Sequence, residues 1–171
     1  MNVKTLLLMR HAKSNWDNPS LRDFDRPLAE RGRRDAPHMA RALVALDSLP
    51  DFIVSSPAAR ARETVEAVIG EARLTAPLTF NEAIYDATSA ALMQVIRRLP
   101  DERQRVLLVG HNPGFEDMLT RLARERGRMP TAAIACIEFQ VDRWEDVEDG
   151  QGKLVWLLTP KQLRKDDGEV E

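Results

Sequence analysis

The chain has 171 residues, of which 43% are hydrophobic and 30% charged, and its formal net charge is −2. This size suits one ordinary globular domain, so we predict a single domain over residues 1–171 that ends in a charged, frayed tail at 161–171. The near balance of charges argues against a general nucleic-acid binder. The one cysteine, Cys136, excludes a disulfide framework and a cysteine-based zinc site.

No apolar run is long enough for a secretory signal or a membrane span, which need about 7–15 and about 18 or more apolar residues. The N-terminal apolar run at 6–9 is interrupted by Arg10 and His11. We therefore expect a cytoplasmic protein without a membrane or nucleic-acid partner.

Short apolar runs alternate with stretches of helix-like spacing along most of the chain. The apolar runs cover residues 5–9, 52–54, 78–80, 106–109, 134–139 and 154–158, and helix-like stretches cover 28–46, 60–69, 90–99 and 115–122. Wholly apolar strands suit a sheet that is covered on both faces, and strand–helix alternation makes such a sheet mostly parallel. The pattern predicts a three-layer α/β/α sandwich with a mostly parallel central sheet. The last two runs are expected to form a hairpin or a sheet edge.

Charged and polar side chains follow each of the first four predicted strands. Arg10 and His11 end the first run, Arg60 lies one helical turn after the second, Glu82 follows the third, and His111 follows the fourth. The carboxyl ends of parallel strands meet at one edge of a sheet, where ligands bind. We therefore expect these five residues to share one site.

These residue types suit phosphoryl transfer. Arginine forks match phosphate oxygens, and helix N-termini after the second and fourth strands favour anions. A histidine can attack phosphorus, and a second histidine can stabilise charge or carry a proton. Lys13 and Ser14 follow the first histidine closely enough in sequence to contact the same phosphate.

Several motifs in the chain resemble those of the histidine phosphatase superfamily, which includes phosphoglycerate mutase-like enzymes. The resemblance covers roughly residues 3–159, and its SixA-type phosphohistidine phosphatase branch is the most similar. The motifs are Arg10-His11-Ala12-Lys13-Ser14, Asp25-Arg26-Pro27-Leu28 with Arg31-Gly32, Ser56-Pro57-Ala58-Ala59-Arg60 with Thr64, Ile84-Tyr85-Asp86-Ala87 and Gly110-His111-Asn112-Pro113-Gly114.

The resemblance implies a phosphoglycerate mutase-like fold with His11 as the nucleophile that becomes transiently phosphorylated. It implies that Arg10, Arg60 and His111 form the phosphate pocket. We expect a protonated His111 there, because it would help to balance the charge of the phosphoryl group. Glu82 holds the place of the superfamily's general acid, with Asp86 as the second candidate. Ala12 stands where the family usually has glycine.

The function expected from the sequence is hydrolysis of protein-borne phosphohistidine, with no metal and no cofactor. Only one short helical stretch separates the third predicted strand from the fourth, so no long insertion covers the site. Two alternatives remain open. One is a metal-independent phosphatase of small phosphate esters on the same site, and the other is a non-catalytic phosphate-binding scaffold.

Overall fold

The computed structural model describes residues 2–166, which form a six-stranded sheet with five α-helices. The strands are β1 (Val3–Arg10), β2 (Phe52–Ser55), β3 (Leu78–Phe80), β4 (Arg105–Gly110), β5 (Ile134–Gln140) and β6 (Lys153–Leu158). The helices are α1 (Glu30–Ala45), α2 (Ala59–Ala72), α3 (Ser89–Arg97), α4 (Gly114–Ala123) and α5 (Pro160–Asp166). Within this described part, no helix combines the length and apolarity needed to cross a bilayer.

Strand β1 is covered on both faces because its apolar side chains alternate between two hydrophobic clusters. Leu6 and Leu8 pack in the cluster that contains residues of α3 and α4, whereas Leu7 and Met9 pack in the cluster that contains residues of α1 and α2. Successive strand residues point to opposite faces, so an unbroken apolar run supplies two cores. The three-layer α/β/α arrangement expected from the sequence is confirmed.

The strand order is β3-β2-β4-β1-β5-β6, with β1 and β4 at the centre. The strand pairs β3–β2, β2–β4 and β4–β1 are parallel. Strands β5 and β6 pair antiparallel with each other, which confirms the predicted hairpin at the sheet edge. Arg10 lies directly beside Gly110 in the β1–β4 register, so the two loops that follow these strands start at the same level.

The expectation of a frayed tail at 161–171 is wrong for its first half, where the chain forms α5. The guanidinium of Arg164 pairs with Asp35 of α1 at 2.9 Å, and Leu163 packs against the α1–α2 cluster. Contacts between residues so far apart in sequence leave no trace in local charge composition. Residues 167–171 lie outside the described residues.

Candidate active site

The loop after β1 fixes the conformation of His11. Its backbone N–H donates to the carbonyl of Gly110 at 2.9 Å, and the side chain is buried with 7% exposure. The ring nitrogen Nδ1 lies 2.7 Å from the carbonyl oxygen of Ala12, which accepts its hydrogen. A carbonyl cannot donate, so this contact selects the tautomer with hydrogen on Nδ1 and a lone pair on Nε2.

Thr64 of α2 connects the loop to the arginine that follows β2. The backbone N–H of Ala12 donates to the Thr64 hydroxyl at 3.0 Å, and that hydroxyl donates to the carbonyl of Arg60 at 2.7 Å. Thr64 is fully buried. The Thr64 hydroxyl thereby connects Ala12, the residue whose carbonyl orients His11, to the first turn of α2.

Arg60 lies in the first turn of α2 and directs its guanidinium at the nucleophile candidate. Its Nε is 3.3 Å from the Nε2 of His11, and it donates to the free lone pair there. Its Nη1 donates to the carbonyl of Asp23 at 2.7 Å, and its Nη2 lies 3.0 Å from the Asp23 carboxylate. The guanidinium therefore stands between the buried imidazole and the loop that precedes α1.

His111 lies beside His11, with 5.2 Å between the ring centroids. Its Nε2 is 2.8 Å from the hydroxyl of Ser56, which also accepts the backbone N–H of Ala58 at 3.2 Å. A serine hydroxyl donates one hydrogen bond and accepts two, so this contact is compatible with either neutral tautomer of His111. The other ring nitrogen, Nδ1, is buried and has no hydrogen-bond partner among the described residues.

Arg10 ends β1, and its side chain reaches the loop before β5. Its Nη1 donates to the carbonyl of Met129 at 3.1 Å, and Asn112 donates to the same carbonyl at 2.9 Å. The Nε of Arg10 is buried without a partner in the described part of the chain. Two adjacent loops thus place one guanidinium and one imidazole, each with an unused buried nitrogen.

Burial and neighbouring positive charge disfavour protonation of both histidines. Burial is the main cause that lowers the pKa of His11 to about 3, and Arg60 and Arg10 lower it further. Burial also lowers the pKa of His111 to about 4, with Arg60 adding to the effect. Both rings are neutral at neutral pH in the free site. The protonated His111 expected from the sequence therefore requires a bound anion that offsets these costs.

Asp23 accepts hydrogen bonds from three side chains at the mouth of the site. Its carboxylate is 2.6 Å from Nη2 of Arg26, 3.0 Å from Nη2 of Arg60 and 2.7 Å from the hydroxyl of Tyr85. Burial raises the pKa of Asp23, but the hydrogen bonds from Tyr85 and Arg26 outweigh it. The pKa of this carboxyl is well below its usual range. Asp23 is therefore ionised.

Aromatic rings line the same mouth. Tyr85 meets the ring of Phe24 edge-on at 5.1 Å and the ring of His111 edge-on at 5.5 Å. Trp16 is 67% exposed, and the guanidinium carbon of Arg26 lies 3.3 Å from its ring centroid. The sequence patterns do not single out Asp23, because no periodicity marks a residue in a long loop.

The other sequence candidates lie in different surroundings. Glu82 is exposed in a short 3-10 turn after β3, and its side chain has no hydrogen bond or ion pair with any described residue. Asp86 follows with a left-handed φ of 50°. Ser14 is buried, and its hydroxyl accepts from Arg26 at 3.2 Å, whereas Lys13 is exposed. The structure brings together Arg10, His11, Arg60 and His111, whereas Glu82 is exposed on the 3-10 turn that leads to Tyr85.

The donor set of this site is cationic and imidazole-rich. Across residues 2–166, no three or more His, Cys, Asp or Glu side chains are grouped so that they could hold a metal ion. Cys136 is buried in β5, and burial raises the pKa of its thiol to about 11. Arginine N–H groups and neutral imidazoles suit an oxyanion ligand.

Comparisons with known proteins identify the family of this chain. The family model of the histidine phosphatase superfamily (branch 1) matches residues 6–86. An uncharacterized chloroplastic protein of Arabidopsis thaliana is 32% identical over 165 residues, which cover 91% of this chain and 75% of that protein. An uncharacterized protein of Mycobacterium tuberculosis is 32% identical over 164 residues, which cover 90% of this chain and 100% of that protein.

Solved structures are similar over nearly the whole chain. One assigned to the phosphohistidine phosphatase SixA of Agrobacterium tumefaciens has a TM-score of 0.80 and 30% identity, covering 92% of this chain and 98% of that chain. The protein histidine phosphatase SixA complexed with tungstate shares the fold, with a TM-score of 0.80, 23% identity and coverage of 93% and 99%.

The chain belongs to the histidine phosphatase superfamily. Within that superfamily it is of the SixA type, as the motifs predicted. Membership and the SixA-like fold support a histidine phosphatase activity for this chain.

Proposed function

We propose that this protein hydrolyses protein-borne phosphohistidine through a covalent phosphoryl intermediate on His11. The observation that carries the proposal is the pair of contacts on the His11 ring. Nδ1 is held by the Ala12 carbonyl at 2.7 Å, and Nε2 meets the Nε–H of Arg60 at 3.3 Å. A neutral imidazole with an oriented lone pair beside a guanidinium is a nucleophile poised to attack an anionic phosphoryl group.

In the first step, the lone pair on Nε2 of His11 attacks phosphorus in line with the leaving group. The bond from phosphorus to the leaving atom breaks, and its electron pair stays on that atom. The hydrogen on Nδ1 remains shared with the Ala12 carbonyl, which supports the cationic phosphoimidazole ring that forms. In the second step, water attacks phosphorus, loses a proton, and His11 departs as neutral imidazole.

The phosphoryl oxygens would be bound by nitrogens that carry no partner in the described structure. These are Nε of Arg10 and Nδ1 of His111, together with the guanidinium of Arg60. A phosphoryl group carries about −1.5 to −2 charge at neutral pH. Such an anion favours the charged form of a nearby imidazole, so we expect His111 to take up a proton as the substrate binds.

The open surroundings favour a phosphoryl group that is carried by a protein. Between β3 and β4 the chain forms only a short 3-10 turn and the nine residues of α3. No long insertion in this region covers the candidate pocket. A cytoplasmic location and independence of metal ions stay predictions of the same proposal.

The test is phosphate release by wild type and His11→Ala, with chelator present, from a phosphohistidine protein and from several small phosphate esters. We expect phosphohistidine to be turned over fastest, with the activity lost in His11→Ala. Faster turnover of a small ester would leave the proposed intermediate on His11 in place but would assign the enzyme an ester substrate instead of phosphohistidine. Binding without turnover would support the scaffold alternative.

The same assay tests the carboxylate expected from the sequence. The resemblance implies Glu82 as the general acid, with Asp86 as the alternative, and on the return step Glu82 would take the proton from the attacking water. Glu82→Gln should then slow hydrolysis of the phosphoenzyme, which rapid-quench kinetics would show as accumulated phosphate on His11. Equal phosphoenzyme levels in wild type and Glu82→Gln would remove Glu82 from the mechanism.

A further inference from the structure

The Asp23 carboxylate is a negative charge at the mouth of a site built to bind an anion. Three donors hold it there: Arg26, Arg60 and Tyr85. Its side chain is 51% exposed, whereas those of Arg26 and Arg60 are 8% exposed. The carboxylate therefore faces incoming molecules, while the cations that neutralise it lie beneath.

The Arg60 guanidinium relates the position of Asp23 to that of the nucleophile candidate, His11. Nε faces the attacking nitrogen of His11, and Nη2 faces the Asp23 carboxylate. His11 is buried, so a phosphoryl group that it attacks must present its leaving group toward the open side. In an in-line displacement, the leaving group departs opposite the nucleophile. Asp23 is an ionised, half-exposed side chain that bonds the same guanidinium as His11.

We propose that Asp23 binds the leaving group and makes the site selective for phosphorus–nitrogen over phosphorus–oxygen bonds. The inference rests on the proposed function and assigns to Asp23 a part of it. A carboxylate accepts about four hydrogen bonds, and Asp23 receives three from side chains. The remaining position, on Oδ1, accepts the N–H of the imidazole nitrogen that does not carry phosphorus.

This contact favours the protonated form of the phosphorylated ring, which is the form with the better leaving group. When Nε2 of His11 attacks, the phosphorus–nitrogen bond breaks and its electron pair returns to the ring nitrogen. The ring keeps the hydrogen that Asp23 holds and departs as neutral imidazole. An alkyl phosphate has no such N–H, and its leaving oxygen needs a proton that an ionised carboxylate does not have.

A cavity beside Asp23 provides room for the chain that carries the leaving imidazole. It has a volume of about 290 Å³ and is lined by Trp16, Asn18, Pro19, Leu21, Asp23 and Arg26. Trp16 and Leu21 are both exposed there. Apolar walls next to one carboxylate suit a histidine side chain with its flanking backbone.

The test compares wild type, Asp23→Asn and Asp25→Asn on two substrates. One is a phosphohistidine peptide, and the other is p-nitrophenyl phosphate, whose leaving group needs no proton. The quantity measured is the ratio of the two kcat/KM values. Asp25 is the matched control because it lies on the same loop and pairs with the exposed Arg22 at 2.7 Å.

We expect Asp23→Asn to lower the ratio at least about tenfold, since it removes a hydrogen bond to a charged acceptor. Asp25→Asn should leave the ratio within about twofold of wild type. Loss of the Arg60 contact alone would slow both substrates equally, so an unchanged ratio in Asp23→Asn overturns the inference and leaves the proposed function intact. A wild type that turns over the ester and not the phosphohistidine peptide overturns both.

Discussion

The Nε of Arg60 donates a hydrogen bond to Nε2 of His11 across 3.3 Å, so a permanent cation meets the lone pair of a neutral imidazole. Protonation of that nitrogen would remove the acceptor and place two positive charges together. Arg60 is thus one reason, after burial, that the pKa of His11 is lowered to about 3. The nucleophile candidate stays unprotonated over the whole physiological pH range.

Acid should destabilise the fold through the two buried histidines. In the folded protein their pKa values are lowered from 6.5 to about 3 and about 4, so the unfolded chain binds more protons below pH 6.5. Stability is therefore full above pH 6.5 and falls as the pH drops from there toward the folded pKa values. We expect a loss of about 2 kcal/mol per histidine between pH 6.5 and pH 5.

Urea unfolding of wild type and His111→Gln at the two pH values measures this effect. The variant should lose about 2 kcal/mol less than wild type on acidification, because it lacks one of the two buried imidazoles. Equal losses in both proteins would contradict the assignment of His111 as a buried neutral group.

Ser56→Ala should impair activity through His111. The variant removes the hydroxyl 2.8 Å from Nε2, so the ring loses the hydrogen bond that orients it. We expect kcat/KM to fall about tenfold, the effect of losing about 1.4 kcal/mol of transition-state stabilisation. Ser55→Ala is the matched control, since the Ser55 hydroxyl donates only to the carbonyl of Ser56 at 2.9 Å. Similar losses of kcat/KM in the two variants would indicate a general effect on the conformation of this loop rather than the contact with His111.

Thr64→Val should weaken both stability and turnover. The substitution keeps the shape of the side chain but leaves the buried N–H of Ala12 without its acceptor. We expect a loss of about 1–3 kcal/mol in the free energy of unfolding, together with a lower kcat. Thr64→Ser keeps the hydroxyl and should restore kcat. Urea unfolding and phosphate release measure the two effects, and a Thr64→Ser variant as slow as Thr64→Val would refute the role of the hydroxyl.

Two glycines in helices should respond to alanine in opposite directions. A Cβ on Gly32 of α1 would overlap the carbonyl oxygen of Lys13, whereas a Cβ on Gly70 of α2 would meet nothing within 4 Å. We expect Gly32→Ala to destabilise the protein by about 1–3 kcal/mol and to slow turnover, because the loop after His11 must shift. Gly70→Ala should stabilise it by about 0.5–1 kcal/mol. Thermal or urea unfolding of wild type and the two variants measures both changes in stability.

The sequence alone was sufficient to predict the positions of the residues that follow the central strands. Parallel strands end at one edge, so placing His11 after β1 and His111 after β4 needed only the apolar runs before them. The same logic says less about Glu82. It follows β3, a three-residue strand at the edge of the sheet, and the 3-10 turn after β3 leaves its side chain exposed.

Loop and tail residues could not be placed in this way. Asp23 reaches Arg60 only through the path of the loop between β1 and α1, and that path depends on contacts with Tyr85 and Arg26. Helix α5 depends on the distant partner Asp35. Hydrophobic periodicity reports which face of an element is buried, and it contains no information about such long-range polar pairs.

The side-by-side register of Arg10 and Gly110 restricts how this chain could change in length. Inserting or deleting one residue inside β1 or β4 would exchange the two faces of that strand and turn its histidine loop away from the other. The segment between β3 and α3 lies outside both strands, and its Tyr85 contacts His111 and Asp23. Extra residues inserted there without displacing Tyr85 could add a cover over the pocket and leave both imidazoles in place, so new substrate preferences would arise by loop growth rather than by changes in the strands.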